Sequence, residues 1–166
     1  MNHQKKWWGF TLAYVLLIYG TLWWMPNVVR FLLEHLGTGG YRNLINGSLF
    51  FSGISILGLS YLQGVKKILL NLIPLVCLAF LSFQLKIPAE RIHFIEYGLL
   101  GIFVIRPYAT GTWKFLLPAF LLVCLIGAGD ELIQWFLPNR VGEWKDVGLN
   151  VIGGFFGLWI GKVTFK

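Results

Sequence analysis

Charge is scarce in this chain. Only 13% of its residues are Asp, Glu, Lys or Arg, against roughly 25% in a soluble domain. Acidic residues are the rarest, seven in 166 positions. The stretches 7–29, 43–65 and 68–85 carry no charge at all. A helix needs about 20 apolar residues to cross roughly 30 Å of hydrocarbon. These runs, with a mean hydropathy of +0.70, exclude a water-soluble globule and leave no room for a separate soluble domain. The expected fold class is all-α, a polytopic transmembrane helix bundle forming one integral membrane domain over residues 1–166. Cysteine is also scarce. Cys77 and Cys124 lie in apolar stretches without metal-ligand spacing, as buried free thiols do. No internal repeat and no low-complexity tract is present. The net charge of +7 is spread through the loops. Basic residues at membrane edges suit anionic lipid headgroups, and nothing asks for nucleic acid.

What is present is helix after helix. The opening "MNHQKKWWGF" has the basic start of a signal peptide. The run that follows is too long for one and ends in bulky "LWWMP" rather than a small-residue cleavage pattern, so it reads as an uncleaved first helix. Six spans are expected, at about 7–26, 43–62, 67–85, 91–106, 114–137 and 146–163; five remain if the short fourth, interrupted by Glu96, does not cross. Pro26, the Gly37-Thr38-Gly39-Gly40 cluster, Pro88, Pro107 and Pro138 mark breaks. Pro74 and Pro118 fall in spans, which membrane helices tolerate. Trp7, Trp8, Trp23 and Trp24 fit an interfacial belt. The "NGS" triplet at Asn46 falls in a span and carries no message.

The two faces differ in charge. Lys5, Lys6, Lys66, Lys67, Arg106, Lys114, Lys162 and Lys166 fall on one face, and Arg30, Arg42, Lys86, Arg91, Arg140 and Lys145 on the other. The small excess sets the expectation that both termini are cytoplasmic. The acids separate completely. Glu34, Glu90, Glu143 and Asp146 lie in or beside loops of the second face, and Glu96, Asp130 and Glu131 lie a short way into spans that open on it. Acids barely influence topology, so their segregation has another cause.

At 1.5 Å per helical residue, Asp130 lies about 10 Å below that face, Glu96 about 7 Å and Asn150 about 6 Å. His93, Glu96 and Tyr97 share one helix side; Asp130 and Gln134, and Asp146 and Asn150, are each four apart. Three helices thus carry polar stripes that lipid would penalise, so the stripes are expected to face one another or a wet cavity. Gly153, Gly157 and Gly161 repeat every four residues, as do Asn150 and Gly154, which lets the last helix approach its neighbours closely. Plain structural roles are available to each residue. His93 serves as an interface histidine or as a base oriented by Glu96. Asp130 and Glu131 can partner Arg91 or Arg140, and Arg140 can pair with Asp146.

These residues resemble the VanZ-like family over about residues 88–158. The family pattern is HFxxY, then DExxQ, an Arg, and an Asp and Asn four apart leading into a Gly-rich helix. Here it reads "HFIEY" at His93–Tyr97, "DELIQ" at Asp130–Gln134, "PNR" ending at Arg140, and "DVGLNVIGGFFG" at Asp146–Gly157. Where the family often has an Asp-Lys pair before the His, this chain has Ala89-Glu90-Arg91. Residues 1–85 carry no motif. The resemblance implies a multi-pass protein of the bacterial plasma membrane. The family's namesake is associated with low-level resistance to teicoplanin, a lipoglycopeptide with an acyl tail.

Three functions are open at this stage. In the first, His93, Glu96, Tyr97, Asp130, Glu131, Gln134, Arg140, Asp146 and Asn150 form a non-catalytic pocket. It would recognise a membrane lipid, a lipid-linked envelope intermediate or a lipoglycopeptide. In the second, Asp130, Glu131 and His93 act as acid and base on a lipid headgroup. With no Ser or Cys nucleophile in the cluster, water or a substrate hydroxyl would attack. In the third, the acids form the path of a small proton-coupled transporter. The residue types of Asp130, Glu131, Asp146 and His93 suit a divalent metal, but their spacing matches no metal signature. No metal and no cofactor is expected.

Overall fold

The close approach of two glycine-bearing helices organises the protein. The computed structural model describes residues 3–109 and 113–165, among which there are six α-helices and no strand. They are α1 (His3–Thr21), α2 (Met25–Tyr61), α3 (Val65–Gln84), α4 (Ile92–Ile105), α5 (Leu116–Phe136) and α6 (Trp144–Thr164). Lys166 lies outside the described residues. α6 packs along α4 with almost no side chain between them. A Cβ on Gly157 would overlap the Gly98 carbonyl, and one on Gly101 would overlap the Gly154 carbonyl. A Cβ on Gly153 would stand 3.0 Å from the His93 carbonyl oxygen. The glycine stripe therefore does what its spacing predicts, and α4 is the partner.

Around this pair, Ile18 of α1, Leu100 and Val104 of α4, Val123 and Ile126 of α5, and Leu158 of α6 form the apolar core. Two tyrosines fasten α1 to it. The Tyr14 hydroxyl donates to the Glu96 carbonyl at 3.1 Å, and the Tyr19 hydroxyl to the Ile126 carbonyl at 2.8 Å. α2 and α3 flank the core and turn large side chains outward, with Phe50, Phe51, Phe80 and Phe83 all exposed. In water this surface would be a liability; against lipid it is ordinary. At the far end of α6, the Asn71 amide donates to Ser60 Oγ at 2.8 Å and to Thr164 Oγ1 at 2.9 Å. This buried knot ties α2, α3 and α6 together.

Four helical stretches are long and apolar enough to cross a membrane: Met25–Tyr61, Val65–Gln84, Trp113–Phe136 and Trp144–Thr164. α4 has 14 residues, about 21 Å, and is extended by single 3-10 turns at Pro88–Arg91 and Arg106–Tyr108. The first turn of α1 holds His3, Gln4, Lys5 and Lys6, which lower its apolarity.

The main departure from the sequence reading is α2. It starts at Met25 rather than near residue 43, because Pro26 sits in its first turn, where proline is tolerated. Of the Gly37–Gly40 cluster only Gly37 leaves the helix, with φ 66° and ψ 175°. Thr38, Gly39 and Gly40 are helical, which satisfies their backbone groups internally. A straight helix of 37 residues would run about 55 Å, far beyond a bilayer core. The break at Gly37 divides it into a short arm, residues 25–36, and a long segment, residues 38–61.

Candidate functional site

At one end of the bundle, the start of α4, the end of α5 and the start of α6 converge. Each carries its polar stripe inward. Asp130, Glu131 and Gln134 of α5 are 1%, 4% and 3% exposed, and Tyr97 of α4 and Asn150 of α6 are fully buried. Gly127, one turn before Asp130, makes the approach possible. A Cβ there would stand 2.9 Å from Asn150 Cβ and 3.2 Å from the Tyr97 ring.

Gln134 links the two carboxyls. Its amide nitrogen donates to Asp130 Oδ1 and to Glu131 Oε1, both at 3.1 Å. Its oxygen accepts from Arg140, Nε at 2.9 Å and Nη2 at 2.5 Å. A guanidinium has no acceptor, so Arg140 fixes which way the Gln134 amide faces. Asp130 Oδ2 receives the Tyr97 hydroxyl at 2.8 Å. Glu131 Oε2 receives the Glu143 backbone N–H at 3.1 Å, since the loop after α5 folds back over it. Gly142 permits this fold, because a Cβ there would overlap the Glu131 carbonyl.

His93 stands between two α6 side chains. Its Nδ1 lies 2.7 Å from Asn150 Oδ1, and its Nε2 lies 3.6 Å from Asp146 Oδ2. The Asn150 amide nitrogen points the other way, 3.3 Å from the Gly127 carbonyl and 3.5 Å from Glu131 Oε1. The ring is thus oriented by Asp146 and Asn150, not by Glu96 as sequence reading allowed.

Three other pairings that the sequence allowed are absent among the described residues. Arg140 makes no ion pair with Asp130, Glu131 or Asp146; Glu90 pairs with Lys145 instead, and Asp146 has His93 Nε2 at 3.6 Å. Arg91 points elsewhere, to Asn46 Oδ1 at 2.5 Å and the Leu85 carbonyl at 2.7 Å. Asn46, uninformative in the sequence, is its partner.

The cluster opens into a cavity of about 770 Å³, within the range of about 300–1,000 Å³ that small-molecule sites occupy. Glu34, Glu90, Glu96, Asp130, Glu143 and Asp146 line it, six of the chain's seven acidic residues. The seventh, Glu131, is hydrogen-bonded just behind. The segregation of acids seen in the sequence is therefore convergence on one space. His93, Arg30 and Arg140 also line it.

The short arm of α2 adds an apolar part to the lining, Met25, Val29 and Leu33, with Leu22 before them, beside its own Arg30 and Glu34. Sequence reading missed this part and left residues 27–42 as a connection. A signal was there, since Met25, Val29 and Leu33 recur every four residues, as do Pro26, Arg30 and Glu34. Glu90 was also missed as a site residue. It precedes α4 and is buried, with Oε1 2.5 Å from Lys145 Nζ.

No curated protein matches the chain, and no solved structure does. The sequence model of the VanZ/LLP1 family matches residues 10–165. That takes in α1 to α3 as well as the motif region at about 88–158, where the pattern is legible by eye. On this match, which spans nearly its whole length, the chain belongs to the VanZ/LLP1 family.

Proposed function

We propose that the protein is a non-catalytic receptor of the bacterial plasma membrane, and that its acidic cavity holds the headgroup of an amphipathic envelope ligand. One observation carries this reading: six of seven acidic residues line one cavity of about 770 Å³ together with the apolar Met25, Val29 and Leu33 of the short arm of α2. Such a space suits a molecule with amine, sugar or phosphate groups at one end and hydrocarbon at the other. An apolar groove of about 510 Å³ is lined by α2, α3, α4 and α6, including Phe94 in the first turn of α4. It offers a place for an acyl chain. The ligand class is a membrane lipid, a lipid-linked wall intermediate or a lipoglycopeptide of the teicoplanin type. Family membership supports the last.

The test is teicoplanin susceptibility of a sensitive Gram-positive strain carrying the wild type, Asp130→Asn, Glu131→Gln or an empty vector, at matched membrane levels. The wild type is expected to protect and the two isosteric variants to lose protection. Equal sensitivity of all four strains would remove the antibiotic from the ligand class.

A further inference from the structure

We propose that His93, Asp130 and Glu131 bind a divalent cation. One ring nitrogen of His93 and one carboxylate oxygen from each acid lie within 4.8 Å of one another. With bonds of about 2.1 Å, two ligands of one ion stand at most about 4.2 Å apart. Small side-chain rotations close the difference. The inference rests on this cluster alone and is independent of which amphiphile enters the cavity.

Charge accounting points the same way. Asp130 and Glu131 are 1% and 4% exposed, yet among the described residues no Lys or Arg forms an ion pair with either. The cation beside them, Arg140, directs Nε and Nη2 at Gln134. Buried carboxylates are ordinarily paired, protonated or bound to metal.

A separate observation concerns acceptors without donors. Glu90, whose side chain is 9% exposed, lines the same cavity with Oε2 unpartnered. Asp146 Oδ1 is buried there and also unpartnered. His93 has oxygen neighbours at both ring nitrogens, Asn150 Oδ1 at 2.7 Å and Asp146 Oδ2 at 3.6 Å. A cation taking one nitrogen, with the other donating to Asp146, reproduces the carboxylate–histidine–metal arrangement that orients ligating histidines. One imidazole with carboxylates and water suits Mn²⁺ or Zn²⁺, and no thiolate is present to select a softer ion.

The experiment uses the full chain, purified in detergent, stripped with chelator and titrated with Mn²⁺ under electron paramagnetic resonance. One saturable Mn²⁺ per chain, displaced by Zn²⁺, is expected. Asp130→Asn, Glu131→Gln and His93→Gln should each weaken it at least about tenfold. Absence of saturable binding, or equal binding by all variants, overturns the proposal. Should the variants fail to fold, the wild type still decides. Pulsed spectra of its bound Mn²⁺ must show coupling to one histidine nitrogen, and a spectrum without it overturns the proposal too.

Discussion

Tyr97 on α4 and Asp130 on α5 meet through one hydrogen bond, hydroxyl to Oδ2 at 2.8 Å, in a place closed to solvent. Interhelical hydrogen bonds in membranes average only about 0.6 kcal/mol. This one should exceed the average, because the acceptor left behind is a buried carboxyl. Tyr97→Phe keeps the ring and removes only the donor. A loss of about 1–3 kcal/mol in unfolding free energy is expected, read by tryptophan fluorescence in detergent. An unchanged midpoint would mean that Asp130 finds another donor.

Gln134 and Arg140 should behave as a unit. The guanidinium orients the amide, and the amide serves both carboxyls. A double-mutant cycle with Gln134→Ala and Arg140→Ala should give a coupling of about 1–3 kcal/mol. The single variants should differ in kind. Gln134→Ala strips one donor from each carboxyl, whereas Arg140→Ala leaves both bonds possible but unaligned. Additive losses would show that Arg140 does not hold the amide.

The α4–α6 contact gives a third expectation. Gly157→Ala places a methyl into the Gly98 backbone, which cannot yield as a flexible side chain can. Overpacking of this kind costs typically about 1–3 kcal/mol and sometimes more. Gly148→Ala, on the same helix with nothing within 4 Å, should be neutral or slightly stabilising. Comparing thermal midpoints of the two variants checks this. Equal midpoints would mean that α4 and α6 are not in backbone contact.

These cases show what was legible in the sequence. Helical periodicity put Asp130 with Gln134 and Asp146 with Asn150, and the glycine spacing announced a close helix pair, because both are local rules of one helix. Of the nine named residues, His93, Glu96, Asp130, Gln134, Arg140 and Asp146 line one cavity, and Tyr97, Glu131 and Asn150 are hydrogen-bonded to them. Their pairings were not legible. His93 with Asp146 and Asn150, or Arg140 with Gln134, depend on how helices distant in sequence rotate against one another. Arg91 shows the same limit, since it stands beside the cluster in sequence but turns to Asn46. The short arm of α2 was hidden for another reason. Glycines at positions 37, 39 and 40 suggested a loop, while the bilayer favours helix wherever the backbone can form it.

That arm supplies the last prediction. Gly37 holds φ 66° and ψ 175°, a region essentially closed to residues with a Cβ. No atom lies within 4 Å of where its Cβ would stand, so a substitution there is opposed by the backbone and not by crowding. Gly37→Ala should lower stability by about 1–3 kcal/mol or straighten the break. Gly39→Ala is helical and equally uncrowded, and should be neutral or gain up to about 1 kcal/mol. The arm carries Met25, Val29 and Leu33 into the cavity wall. Gly37→Ala should therefore also impair teicoplanin protection at matched membrane levels, while Gly39→Ala retains it. Loss of stability with protection intact would separate the arm from the function of the cavity.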